Sequence, residues 1–383
     1  MKVAISGGGI AGLSAAAVLA QRGHDVVLFE RREGPATIGA GVVCFPNATR
    51  VLQAFGLEDA VRAVAGTPLC MRRLSRDGEP LGDLPLTVVN DQIGASSYSI
   101  LRADLHAILT RFAQEAGARV EYGRPVVGVA DAKALVFADG RSVEADWILG
   151  ADGRMSSPLR KFVHGDDRPR YGGFVNWIGV ARSREDAFDP NAIVDVWGTG
   201  ERFGLVPIST RVAYFAGAAA DAPGREAPTA LASLLIERFA GWPEPVQAAL
   251  RCADQRSLRQ IDVYDHEPRE VWHRERVLLI GDAAHAPLPT SGQGAGQALE
   301  DAFQLGALLD EGVPEDPARF FPRFTAIRRD KANAIVEAGR RFAALLFNPD
   351  PAFVAERNRG SQRTNFSEAA RGMAQLWGRR LPA

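Results

Sequence analysis

Cysteine is scarce in this chain: Cys44, Cys70 and Cys252 are the three copies, and no two stand at C-x-x-C spacing. That argues against a disulfide framework and against a cysteine zinc site. The six histidines are scattered without ligand spacing, so no metal is expected. A bulk excess of charge is missing too, with 45 Lys and Arg against 46 Asp and Glu and a formal net charge of −1. Nucleic-acid binding wants a strongly basic surface, so nucleic acid is not an expected partner. No apolar run has bilayer-spanning length, which removes stable membrane insertion from the expectations. The first strand opens at residue 3, so no signal peptide is expected before it. The apolar stretch Ile10–Ala20 reads as a helix, not a secretory core. A reducing cytoplasm is the expected location. Internal repeats and low-complexity segments are absent, and 383 residues suit two domains.

What the chain does have is two glycine-rich turns, far apart, each following a short apolar run. The first reads Lys2-Val3-Ala4-Ile5-Ser6-Gly7-Gly8-Gly9-Ile10-Ala11-Gly12. Gly7, Gly9 and Gly12 match G-x-G-x-x-G placed between a strand and a helix, the context that pattern requires. Gly7 permits the tight turn, Gly9 lets backbone N–H groups approach a pyrophosphate, and Gly12 lets helix and strand pack closely. The helix N-terminus then offers its free donors and positive dipole end to the phosphates. A second strand, Asp25–Phe29, ends in Glu30, where a carboxylate accepts from a ribose diol. NAD and FAD satisfy these requirements equally.

Farther along, Gly39-Ala40-Gly41 is followed by a helix from Pro46-Asn47 to about Phe55. Residues 73–97 read as short strands with turns at Asp77-Gly78 and Leu84-Pro85. A helix from about Arg102 to Ala116 precedes strands near 118–122, 125–129, 134–137 and 146–149. Asp139-Gly140 marks a hairpin between the last two. From 171 to 266 the texture turns to sheet, with strands around 173–180, 192–197, 204–207 and 212–216. A helix follows near 230–239, with Thr229 as its expected N-cap. Strand 276–280 and the helix Gln293–Glu311 then return to the nucleotide-binding part. The fold expected is α/β: a Rossmann-like nucleotide-binding domain (1–72, 98–170 and 268–345) with an inserted, mainly β substrate domain (73–97 and 171–267). A helical tail, 346–383, completes the chain. Its apolar spacing at Phe366, Ala369, Ala370, Met373, Leu376 and Trp377 suits packing on the protein's own surface or a partner subunit, with a membrane-surface helix as the alternative.

The second glycine turn reads Arg276-Val277-Leu278-Leu279-Ile280-Gly281-Asp282-Ala283-Ala284-His285, with Ser291-Gly292-Gln293-Gly294-Ala295-Gly296 behind it. Between the two turns sits Asp152-Gly153-Arg154-Met155-Ser156-Ser157-Pro158-Leu159-Arg160. The three together resemble the single-component, FAD-dependent aromatic monooxygenases, a group holding 4-hydroxybenzoate, salicylate, 6-hydroxynicotinate and urate hydroxylases. The likeness covers about residues 2–340. Phe174-Val175-Asn176-Trp177 and Phe239-Ala240-Gly241-Trp242 look similar to the urate hydroxylases. Two departures stand out. Arg160 comes one residue later than the family spacing D-G-x-x-S-x-x-R places it, so Asp152 is carried over and Arg160 is not. Thr290 stands where urate hydroxylases carry a catalytic aspartate, which puts urate itself in doubt as the substrate.

The resemblance implies an extended FAD, with adenosine at the first turn and the isoalloxazine at the domain interface. Its cofactor set is Gly7, Gly9, Ile10, Ala11, Gly12, Glu30, Arg31, Gly41, Arg102, Val126, Asp152, Gly281, Asp282, Gly292, Gly294 and Ala295. Asp282 would accept from a ribityl hydroxyl, and the helix after Gln293 would aim its amides at the N1–C2=O edge of the flavin. The family chemistry uses NADH or NADPH to reduce FAD, then O2, and a flavin C4a-hydroperoxide that hydroxylates an electron-rich ring. Arg202 and Tyr214 look similar to substrate-site positions, and Pro289 would lie beside the flavin ring. His285 is expected to be structural. The partners implied are a small aromatic substrate, O2 and NAD(P)H, in a monomer or homodimer. A reductase or oxidase on the same fold, without oxygen transfer, is the alternative.

Overall fold

Val3, Ala4 and Ile5 are all buried, as in a strand covered on both faces. In the computed structural model, which describes residues 1–35, 40–224 and 230–382, this strand lies inside a six-stranded sheet. Its spatial order is His273–Arg274, Val277–Leu279, Trp147–Gly150, Lys2–Ser6, Asp25–Phe29 and Arg119–Glu121. All neighbours run parallel except the antiparallel first strand. Parallel pairing places the ends of Lys2–Ser6, Trp147–Gly150 and Val277–Leu279 at one edge, so the turns after them emerge together. The Ile10–Ala20 helix is alanine-rich, which lets the Gly294–Asp310 helix come close: a Cβ on Gly306 would stand 2.7 Å from Val18.

Among the described residues, the second large sheet has seven strands, in the order Arg259–Asp265, Arg170–Arg182, Val212–Ala220, Glu201–Pro207, Ala192–Trp197, Cys70–Ser75 and Pro80–Pro85. Strict alternation divides it into two faces. One face sends Val175, Trp177, Phe203, Phe215 and Val196 into a buried cluster with Phe239 and Trp242. The helices Leu231–Arg238 and Glu244–Arg251 supply its cover. The stretches that look similar to urate hydroxylases therefore serve packing: Phe239 meets Trp242 edge-on at 4.9 Å.

Three sequence expectations are corrected. Leu86–Ile93 is a helix, not a strand. Its β-branched residues read as strand, but Leu86 and Val89 are buried at helical spacing, and Gly94 (φ +76°) closes the helix left-handed. The Asp139-Gly140 hairpin joins Ala134–Phe137 to Ser142–Glu144, a strand the sequence reading missed. Trp147–Gly150 instead pairs in parallel with Lys2–Ser6. Gly39 and the expected cap Thr229 lie outside the described residues. The tail helix Phe366–Trp377 buries Ala370, Ala374 and Trp377 against the chain itself, as its apolar spacing suggested. No described helix is long and apolar enough to cross a membrane.

Candidate active site

The two glycine turns and the segment that leads into the middle motif meet at one point, and each meeting is a place where a side chain would not fit. A Cβ on Gly7 (φ +109°) would stand 2.2 Å from Ala151 O. One on Gly12 would stand 2.0 Å from Gly7 O, and one on Gly281 (φ +56°) 2.7 Å from the Ala11 Cβ. Gly9 differs, for nothing lies within 4 Å of its Cβ direction. The Ile10–Ala20 helix starts at Gly9 with no side-chain cap and no acid in its first turn. The Gly294–Asp310 helix also starts uncapped, at Gln293, and a Gly294 Cβ would stand 3.9 Å from Asp282 Oδ1. Two uncapped helix N-termini so close to the same turns make a cradle for anionic groups.

Glu30 is buried at the end of its strand. Its Oε2 accepts from Gly8 N at 2.7 Å, and Oε1 accepts from the backbone and side chain of Arg32 at 2.9 Å. Burial works to raise its pKa, yet the bonds from Arg32 and Gly8 hold it below the usual value. A carboxylate has about four lone-pair positions, so one remains on Oε2 for a ribose hydroxyl. The basic partner of Glu30 is Arg32; Arg31, the expected cofactor contact, is exposed as Arg32 is. Val126 opens a strand just past Arg124, whose N–H bonds Glu30 O at 2.9 Å. His106, absent from the sequence reading, bonds Gly8 O at 2.8 Å from beneath the first turn.

Arg102 opens its helix, as expected, with an exposed side chain. Desolvation nevertheless pulls its pKa down, against Asp282, with Arg154 and Arg32 also nearby. Free surface within dense surroundings is the condition of a groove wall. Asp282 Oδ2 accepts from Arg154 at 2.6 and 3.0 Å, leaving Oδ1 without a protein donor among the described residues. Burial opposes ionisation of Asp282, but Arg154 prevails and keeps it a carboxylate. Arg154 also donates to Tyr264 O and Pro287 O, fastening the middle motif to the second glycine turn. Arg160, left out on spacing, is buried and donates to Ala283 O at 2.6 Å, so it braces the same turn. His285 is structural: it bonds Asp301 at 2.7 Å and lies 4.9 Å from the Trp272 ring.

Burial raises the Asp152 pKa to about 6, against a hydrogen bond from Ser157 at 2.5 Å. Folding thus favours the protonated form. Below an unfolded value of 3.8 the carboxyl is neutral in both states; stability falls as pH rises through about 6 and then levels. FAD-free Asp152→Asn should therefore be more stable than wild type near pH 8, by on the order of 2 kcal/mol after allowing for partial exposure. Thermal melts near pH 4 should show the gap closed; an equal gap at both pH values would refute this account.

The other face of the seven-stranded sheet holds the candidate substrate residues. Register aligns Tyr214, Val206 and Ile193 in one row, Ala216, Gly204, Asp195 and Arg73 in the next, and Ala218, Arg202 and Trp197 in a third. The first and third rows lead into two separate apolar clusters. Between them, Ile178, Tyr214, Ala216 and Arg202 keep accessible surface in the middle of the sheet. A Cβ on Gly41 would stand 2.0 Å from the Tyr214 ring, so this patch adjoins the cofactor cradle. Burial raises the Tyr214 pKa, which keeps the phenol protonated and a donor. Arg202 is no solvent-facing turn residue: its Nε donates to Asp195 Oδ1 at 2.5 Å, and Asp195 is fully buried. The sequence reading missed Asp195 and Arg73. The Arg73 guanidinium lies 5.1 Å from the Trp197 ring and 4.9 Å from the Phe366 ring.

On the loop before the Gly294–Asp310 helix, Pro289 is exposed at the start of a single 3-10 turn. Thr290 gives its hydroxyl to Gly339 O at 2.8 Å. Gly292 (φ +64°) ends that turn, where a Cβ would stand 2.9 Å from the Phe45 ring, and Ala295 is half-buried in the first helical turn.

Fold and cradle together define a flavoprotein of the FAD-binding, two-sheet class. The FAD-binding domain family model matches residues 1–338. Aurachin C monooxygenase/isomerase of Stigmatella aurantiaca is 32% identical over 90% of this chain and 89% of that protein. The 3-amino-4-hydroxybenzoate 2-monooxygenase of Streptomyces cremeus is 33% identical over 99% and 95%. The crystal structure of Klebsiella pneumoniae HpxO with FAD and uric acid superposes with a TM-score of 0.87, at 29% identity, covering 98% of this chain and 96% of that one. The chain belongs to the FAD-dependent aromatic monooxygenases.

Proposed function

We propose that this enzyme uses NADH or NADPH and O2 to hydroxylate a small, electron-rich aromatic or heteroaromatic ring held beside Tyr214 and Arg202. The observation that carries this reading is the accessible patch of Ile178, Tyr214, Ala216 and Arg202. It lies on the sheet face opposite the Phe239 cluster and touches the cofactor cradle at Gly41. FAD, when bound, would supply the redox chemistry for oxygen transfer to the ring. Gly9, Ile10, Ala11 and Gly12 would hold its pyrophosphate through backbone N–H groups, and Glu30 would take a ribose hydroxyl on Oε2. Asp282 would accept a ribityl hydroxyl on Oδ1, and Arg102 would hold the phosphates. Gly292, Gly294 and Ala295 would hold the flavin edge.

The protonated Tyr214 donates to an anionic ring oxygen, and Arg202 adds positive charge that favours the phenolate-like form. The Thr290 hydroxyl is committed to Gly339 O and is no anion, which favours a phenol or hydroxylated heterocycle over urate. Sheet membership supports a division into a discontinuous FAD-binding unit and an inserted substrate unit. The enzyme works in the cytoplasm as a monomer or homodimer. The test is turnover of small phenols and hydroxypyridines under labelled O2. One labelled oxygen per product molecule is expected; label found only in water or peroxide would make the protein a reductase or oxidase.

A further inference from the structure

The tail helix Phe366–Trp377 ends against the back wall of the cofactor cradle, by two separate routes. Along the first, the Trp377 ring packs on Phe45 at 4.7 Å. Phe45 in turn fills the space beside Gly292, where any side chain would collide with it. Along the second, the buried Lys331 ammonium donates to Trp377 O at 2.5 Å and to Arg379 O at 2.9 Å. Its third donor goes to Glu300 Oε1 at 2.9 Å. Glu300 Oε1 also accepts from Asn47 at 2.8 Å, and Asn47 donates to Gln293 Oε1 at 2.8 Å. Gln293 is the residue from which the helix starts, and the first turn of that helix holds Gly294 and Ala295. Every side chain on this second route is 5% exposed or less.

An ammonium has three donors, and here two of the three are taken by carbonyls of the tail. Losing them leaves the buried ammonium paired with Glu300 but with two donors unsatisfied at one end of a continuous hydrogen-bonded path, and buried partly satisfied networks are costly. Desolvation already lowers the Lys331 pKa to about 8, against Glu300. The tail is therefore wired to Gln293 and Gly292, not merely laid on the surface.

We propose that Trp377 and Lys331 are positioning residues for FAD: the docked tail fixes the N-terminus of the Gly294–Asp310 helix against the flavin. This rests on the placement of the flavin edge at Gly292 and Gly294 made above. A helix N-terminus held in register favours the reduced, negatively charged flavin. A loosened one gives up that preference along with affinity.

The experiment measures FAD dissociation constants by flavin fluorescence, and the midpoint potential of bound FAD, in full-length Trp377→Ala, Lys331→Met and Trp377→Phe. Phe239→Leu, in the cluster on the far sheet face, controls for general loss of stability. The alanine and methionine variants should bind FAD roughly tenfold more weakly, the loss typical of removing a group that orients a binding residue. Their potentials should lie below that of wild type, while Trp377→Phe restores both and Phe239→Leu moves neither. Wild-type affinity and potential in Trp377→Ala would overturn the proposal, as would an equal change in Phe239→Leu. A wild-type protein that fails to take up FAD would instead overturn the cofactor reading itself.

Discussion

Gly12→Ala should purify without flavin colour, whereas Gly9→Ala should fold like the wild type and bind FAD weakly. Helix propensity alone says the opposite for Gly12, since alanine in a helix is favoured over glycine by about 1 kcal/mol. Local contact decides the sign. The new Cβ would stand 2.0 Å from Gly7 O, and Gly7 has no room to retreat because its own Cβ direction runs into Ala151 O at 2.2 Å. Overpacking against a fixed backbone costs about 1–3 kcal/mol or more, and here the displaced peptide is the phosphate-binding turn itself. At Gly9 the backbone is extended and the Cβ direction is open, so an alanine meets no protein atom. Its methyl would occupy only the space through which the pyrophosphate reaches the helix N-terminus. Thermal melts of FAD-free protein should therefore separate the two, with Gly12→Ala lowered and Gly9→Ala unchanged. Fluorescence titration should show FAD affinity falling for both. Wild-type FAD affinity in Gly12→Ala would remove the first turn from the site.

The glycine turns were legible because close backbone approach admits one residue type at fixed spacing, and such spacing survives in a linear sequence. Gly7, Gly12 and Gly281 all occupy contacts that forbid a Cβ. Arg154 and Asp195 were not legible, because each acquires its role from a partner that only the fold supplies. Arg154 reaches Asp282 across 128 positions, and Asp195 meets Arg202 only once strand register is known. The same limit misled the reading of Leu86–Ile93, where β-branched residues promised a strand but packing against the tail helix selects a helix. Arg160 acquires a bracing role that spacing does not show. A one-residue departure in spacing excluded it, yet Ser157 caps its helix and sets Arg160 against the second glycine turn. The aromatic stretches at 174–177 and 239–242 carried family likeness without substrate information, since their large side chains fill buried packing clusters.

Arg202→Met should lower kcat/KM for the true substrate by one to two orders of magnitude, since a charged hydrogen bond contributes about 1.5–3 kcal/mol. FAD content should stay at the wild-type level. The single variant confounds two effects, because it also leaves Asp195 buried without its hydrogen-bonded cation, while the charges of Arg73 and Arg357 remain nearby. Breaking a buried ion pair in this way costs about 3–5 kcal/mol. Asp195 already has one buried oxygen without a hydrogen-bond partner, so its pairing to Arg202 matters the more. The double variant Arg202→Met/Asp195→Asn removes the stranded charge while keeping the volume close to native. Melting temperature should then recover much of what the single variant lost, but turnover should not recover. Asp195→Asn alone keeps the guanidinium and frees it from its counter-charge, so binding of an anionic ring should tighten while that of a neutral analogue stays constant. Recovery of turnover in the double variant would reduce Arg202 to a structural partner of Asp195, and the substrate would then have to be sought elsewhere on the Tyr214 face.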